Sequence, residues 1–167
     1  LALSISNINP TSYSVQYDSL VVGATVFIDR SYTFTNVASL GGSTYILTAN
    51  DDKYSTGDSF LTFDVNQGST VYVAHDDNIT TKPSWLSTFT DTGENLVASN
   101  PQTFSLYSKD FTAGTVTLGG NGGDASSSMY IVVVVGNGVQ NEEATNPSPA
   151  DGATGVSVDI DLSWTAG

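Results

Sequence analysis

Five consecutive β-branched residues, Ile131 to Val135, have no polar residue between them, and this run limits what the chain can fold into. An unbroken apolar stretch of strand length is buried on both faces, which predicts a central strand with structure packed above and below it. The rest of the chain has period 2. Val71, Val73 and His75 alternate with Tyr72, Ala74 and Asp76, and similar short runs occupy 13–20, 25–37, 43–49, 60–65, 89–93, 96–97, 103–107 and 114–118. Gly23, Gly41-Gly42 and Asn66-Gln67-Gly68 punctuate them. About eight or nine strands spaced roughly 8 to 12 residues apart predict an all-β fold, an antiparallel sandwich or barrel, with no helix. The segment 25–37 is expected to form one long or bent strand.

The stretch from Asp76 to Pro83 has no apolar period, so it predicts a loop that brings Trp85 back onto the body. This loop and the strand before it hold the only His, His75, one of the few cations, Lys82, and the first Trp. Seventeen carboxylates stand against four cations, a net charge of -13, which repels phosphate backbones and anionic membrane surfaces. Nucleic-acid binding and membrane insertion are therefore not expected, and no apolar run approaches the roughly 20 residues of a membrane span. With no cysteine, the fold rests on packing without disulfides. The opening Leu-Ala-Leu-Ser-Ile-Ser lacks a basic leader region and reads as the trimmed start of a mature or excised domain.

Composition changes after Gly136. A polar, aperiodic stretch suits a linker, and Val156, Val158, Ile160, Leu162 and Trp164 then alternate strictly with polar residues. The organisation expected is a β-sandwich over 1–138, a linker over 139–146, and the first strands of a second domain over 147–167.

Two segments resemble known families. The sequence NPSPADGATGVSVDIDLSW, from Asn146 to Trp164, resembles the opening of a fibronectin type III or immunoglobulin-like repeat of secreted bacterial multidomain enzymes, so the chain is expected to stop inside such a repeat. ATVFIDRSYTF, VYVAHDDNITTKPSWLSTFTDTG and LYSKDFTAGTVTLGG are similar to the galactose-binding-like modules of secreted polysaccharide lyases and glycoside hydrolases. That resemblance implies a jelly-roll sandwich and non-catalytic binding of a polysaccharide, of algal or plant cell walls. It also implies a secreted or cell-surface location and covalently linked neighbouring domains. A structural calcium is frequent in such modules. Related copies are expected to hold a basic residue near position 78, where this chain has Asn78.

Sugar sites stack aromatic rings on pyranose faces and bond hydroxyls around the rim. The candidates here are Trp85, Tyr54, Tyr107 and His75 among the rings, with Asn78, Arg30 and Lys53 as polar partners. Each has a plainer reading. Trp85 can be a buried plug at the sandwich end, His75 an ordinary strand residue, and Arg30, Lys53 and Lys109 halves of ion pairs with adjacent aspartates. For calcium, hard oxygen donors are available from Asp51, Asp52 and Asp58 and from Asp76 and Asp77. Gly119 to Asp124 matches the opening of a calcium nonapeptide repeat only once and reads as a flexible turn. No nucleophile triad can be assembled, and adjacent carboxylates such as Asp51-Asp52 point apart. The rival to sugar binding is a spacer or adhesion domain, with a protein partner engaged by strand addition through Val156 to Trp164.

Overall fold

In the computed structural model, residues 2–138 are described in full, together with the backbone of Thr145–Ser148 and Ser163–Thr165. The strands are Ile5–Asn9 (β1), Ser14–Gln16 (β2), Phe34–Asn36 (β3), Thr44–Leu47 (β4), Leu61–Val65 (β5), Ser69–Asp76 (β6), Thr90–Ala98 (β7), Thr103–Phe111 (β8), Gly114–Leu118 (β9), Ile131–Gly136 (β10), Thr145–Ser148 (β11) and Ser163–Thr165 (β12). They form a seven-stranded sheet in the order β2-β4-β10-β6-β8-β7-β3, a three-stranded sheet β1-β5-β9, and the pair β11-β12. Every ladder between these strands is antiparallel. The all-β antiparallel sandwich expected from the sequence is the fold observed, and the described residues contain no α-helix.

The Ile131–Val135 run lies where its composition requires. β10 is interior to the large sheet, paired with β4 on one side and β6 on the other, and Ile131 to Val134 are at most 1% exposed. Its side chains divide between two layers. Val132 and Val134 share a face with Val71, Val73 and Ile46, and Ile131 and Val133 share the other with Ala74, Tyr45 and Leu106. The second face is closed by the long connection before β4, where Phe34 meets Tyr45 edge-on and the Tyr45 hydroxyl donates to the carbonyl of Thr25 at 2.8 Å. The first face is closed by the small sheet, whose Leu61, Phe63, Val65, Val116 and Leu118 are all buried. Three strands cannot cover seven, so part of this face, over β7 and β8, is left to solvent: Asp77, Asp91 and Asn95 are exposed there.

Some elements differ from expectation, each for a local reason. The segment 25–37 is mostly a connection, with isolated bridges Thr25↔Thr33 and Phe27↔Thr48 before the short β3. Asp29 takes it out of the sheet: its carboxylate accepts the backbone N–H groups of Asn50 and Asp51, at 2.7 and 2.9 Å. The first expected strand shrinks to β2 because Asp18 adopts φ 50°, where a strand cannot continue. β1 is a polar edge strand with only Ile5 buried, which leaves little apolar pattern to read. Of the expected C-terminal domain, the described part is the β11-β12 pairing; the alternation from Val156 to Leu162 lies outside the described residues.

Candidate functional site

Three connections meet at one end of the sandwich: 50–59, 77–88 and 119–128. The first opens with a 3-10 turn, Asn50–Tyr54, and the second contains another, Ser84–Thr88. The third holds Gly119-Gly120-Asn121-Gly122-Gly123, expected to be a flexible turn but found buried over Gly119 to Asn121 and tied to the first by backbone bonds. Gly120 N–H donates to Gly57 O, Gly122 to Ser55 O and Gly123 to Lys53 O, at 2.8 to 2.9 Å. The glycines are there because the chains touch. A Cβ on Gly119 would stand 2.2 Å from Cδ1 of Trp85, and one on Gly120 would stand 2.4 Å from the nitrogen of Thr56.

Between these connections lies a groove made of two adjoining pockets that share Gly122. One, of about 250 Å³, is lined by Thr56, Gly57, Asp58, Pro83, Ser84, Trp85 and Gly120. The other, of about 190 Å³, runs along Asn78 to Thr81 and Gly123 to Asp124. Trp85 is anchored in the end of the sandwich and also borders the groove. Its Nε1–H donates to Gly120 O at 2.9 Å, and its edge contacts Tyr130 and Phe89 at 5.7 and 5.8 Å between ring centres, while the half-buried ring also lines the pocket. Asn78, exposed, donates to Ser126 O across the second pocket. Tyr54 is 57% exposed beside this end, with the ammonium of Lys53 5.5 Å from its ring centre. Lys53 does not pair with Asp51 or Asp52; it donates to Ala125 O at 3.2 Å.

The remaining candidates lie elsewhere. His75 is fully buried beneath the end of the sheet, with Nε2 3.0 Å from Asn121 O and Nδ1 3.2 Å from the ammonium of Lys82. Because the ammonium can only donate, Nδ1 accepts and Nε2 carries the proton. Burial, reinforced by Lys82, lowers the His75 pKa to about 4, so the ring is neutral. Tyr107 lies on β8 over the uncovered part of the sheet. Burial chiefly, then Asp91 and Asp77, raises its pKa. Arg30 forms a partly exposed ion-pair cluster with Asp29 and Asp51, at 3.2 and 2.5 Å, away from the groove-lining residues.

The acidic candidates do not converge. Asp51 faces Arg30, and Asp52 accepts the Tyr13 hydroxyl at 2.6 Å. Asp76 is fully buried and accepts from Gln102 Nε2, Asn78 N and Ser128 N. Asp77 accepts the Ser105 hydroxyl at 2.6 Å, and Asp58 lines the groove. Among the described residues no three acidic, His or Cys side chains gather as a group that could hold a metal ion. Lys109 and Asp110 also part company. Lys109 donates to Thr88 and lies over Phe89 and Phe111, while Asp110 accepts from Thr70.

An anchored aromatic beside hydroxyl and carboxylate groups suits recognition of a polar ligand, and no nucleophile with an adjacent base lines the groove. The fold is that of an antiparallel β-sandwich domain with a groove at its loop end. The same fold occurs in solved carbohydrate-active enzymes. A β-glucuronidase from glycoside hydrolase family 2 matches with a TM-score of 0.70 and 24% identity, over 80% of this chain and 14% of that one. A GH138 enzyme targeting pectin rhamnogalacturonan II matches with a TM-score of 0.55 and 15% identity, over 80% of this chain and 16% of that one. The chain thus spans a small part of either enzyme. Comparison with protein-family models and with curated proteins gives no match.

Sequence reasoning singled out Trp85, Asn78 and Asp58 but not that they share a groove. It did not find the backbone wall of Gly120 and Gly122. The available signal was the glycine run itself, whose spacing marks a close approach of chains as readily as a flexible turn.

Proposed function

We propose that the domain is a non-catalytic carbohydrate-binding module of a secreted multidomain enzyme, and that it binds polysaccharide through the loop-end groove. The observation that carries this reading is Trp85, fixed at its edge by Gly120 and Tyr130 while the ring borders a pocket with Asp58, Ser84 and Thr56. A ring immobilised in advance loses little freedom when a sugar packs on it, which raises affinity. The likeness to parts of two carbohydrate-active enzymes supports the same context. Tethered to a catalytic domain, even a weak site raises the effective concentration of substrate.

Native affinity electrophoresis through neutral, uronate and sulfated polysaccharides, with and without EDTA, tests this. Retardation by one polymer is expected, weakened in Trp85→Ala and in Asp58→Ala. The second variant removes an exposed groove carboxylate with no part in packing, so it separates ligand contact from misfolding. Loss of retardation with EDTA alone would bring a cation into the site. No retardation by any polymer would leave the spacer or adhesion reading, with a protein partner.

A further inference from the structure

The loop 77–85 has two sides. Asn78 to Thr81 and Pro83 to Trp85 line the groove, but Lys82 turns the other way, over the buried His75 and beside the uncovered face of β7 and β8. Strand register assembles what surrounds it. Near the end of β6 His75 belongs to this face, Asp77 just beyond the strand bonds Ser105 of β8, and on β8 Ser105 stands opposite His75 and Tyr107 opposite Val73. On β7, Asp91 stands opposite Tyr107 and Asn95 opposite Ser105. The charges of Asp77 and Asp91 both reach Lys82 and Tyr107, which places all four groups in one cluster.

These side chains keep hydrogen-bonding capacity to spare. Lys82 spends one donor on His75 Nδ1 and one on Asp76 O, at 2.8 Å, and holds a third. Asp91 accepts only from Gly93 N, through Oδ1, and Asp77 bonds Ser105 through Oδ1 alone. The Tyr107 hydroxyl and the Asn95 amide make no hydrogen bond within the protein. Donors and acceptors are thus interleaved around a half-buried ring, on a base made stiff by the buried His75–Lys82 contact.

We infer that this sheet face is a second carbohydrate site, separate from the groove, and that it takes an uncharged pyranose through its hydroxyls. The ligand class follows from charge. Two carboxylates outnumber one ammonium, so a uronate or sulfate meets net repulsion at short range, where salt screens least. Lys82 has only one donor left, which denies an anion a clamp. A vicinal diol can accept from Lys82 or Asn95 and donate to Asp91 or Asp77, using groups of both kinds. The inference rests on the reading that the domain binds carbohydrate, not on the groove being where it does so.

Two-dimensional ¹H–¹⁵N NMR of the whole chain tests it, titrating neutral gluco-, xylo- and galacto-hexaoses and a galacturonate hexamer. At least one neutral hexaose should shift the Asn95 side-chain amide and the backbone of Ser105 and Asp91, and the galacturonate should not. Tyr107→Phe with Asn95→Ala removes two groups unbonded in the protein, so the fold is kept, as the rest of the spectrum will report. Affinity at the face should fall up to about tenfold per hydrogen bond lost, with shifts at Trp85 Nε1–H and Asn78 unchanged. Face residues silent to every neutral hexaose, shifts produced only by the galacturonate, or a double variant that binds as before would each overturn the inference. A silent groove with a responding face would instead overturn the groove reading and leave this one standing.

Discussion

The Lys82 ammonium donates to Nδ1 of His75 at 3.2 Å, so a lysine sits against the only histidine and fixes its tautomer. A cation beside a buried imidazole opposes a second one. The folded ring titrates at about 4 instead of 6.5, from burial first and Lys82 second. The unfolded chain therefore binds a proton in this window that the folded chain does not. The stability involved is fully present above pH 6.5 and is lost as pH falls through 4. Urea unfolding at pH 7 and pH 5 should differ by about 2 kcal/mol from this residue, with His75→Gln reducing the difference. An Hε1 resonance titrating near 6.5 in the folded protein would refute the arrangement.

Asp76 is the acceptor that holds three connections together. Its carboxylate takes Ser128 N, Asn78 N and Gln102 Nε2, and the residue is fully buried. Asp76→Ala strands these donors, at about 1–3 kcal/mol for each left without water. Asp76→Asn keeps the shape but puts a donor where donors already converge, so it should rescue only part of the loss. Denaturant midpoints of the two variants rank them.

Gly119→Ala should be more damaging than one methyl group suggests. The new Cβ meets Trp85 Cδ1 at 2.2 Å and the Gly57 carbonyl at 2.7 Å, and backbone does not yield cheaply. Overpacking of this kind costs about 1–3 kcal/mol, and here it displaces the ring that lines the groove. Lower stability with a shifted Trp85 indole signal is expected, whereas Gly42→Ala, which meets no atom within 4 Å, tests the separate cost of φ 82°.

What the sequence makes legible is the part governed by alternation. Ile131–Val135 is read as central because five apolar β-branched residues have no polar side to turn to water, and β10 is interior. β5, β6 and β9 are legible on the same ground. The site is less so, because it is made of residues whose environment comes from distant chain. His75 continues the alternation of Val71 and Val73, and nothing local reports that Lys82 folds back over it. Lys109-Asp110 reads as an ion pair by adjacency, but strand geometry sends neighbours to opposite faces, and each finds a different partner. Gly119-Gly120 has the composition of a loose turn, and only the arrival of 55–57 and Trp85 makes it a packed wall.

The turn at 50–54 separates two kinds of charge that look alike in the sequence. Asp29 and Arg30 are adjacent, and both reach this turn, but they act on different groups. Asp29 accepts the backbone N–H of Asn50 and Asp51, and Asn50 is itself buried, its Oδ1 accepting from Met129 N. Removing the Asp29 carboxylate leaves the Asn50 N–H without its acceptor, and the disturbance passes through Asn50 to β10. Arg30 instead pairs with Asp51 at the surface, where water replaces it readily. Asp29→Ala should therefore lose about 1–3 kcal/mol at any ionic strength. Arg30→Met should lose less, and that smaller loss should vanish in high salt, where the pair is screened in the parent as well. Urea denaturation of both variants in low and high salt decides the matter: a larger effect for Arg30→Met would mean that the ion pair, and not the carboxylate's bonds to the backbone, holds this turn.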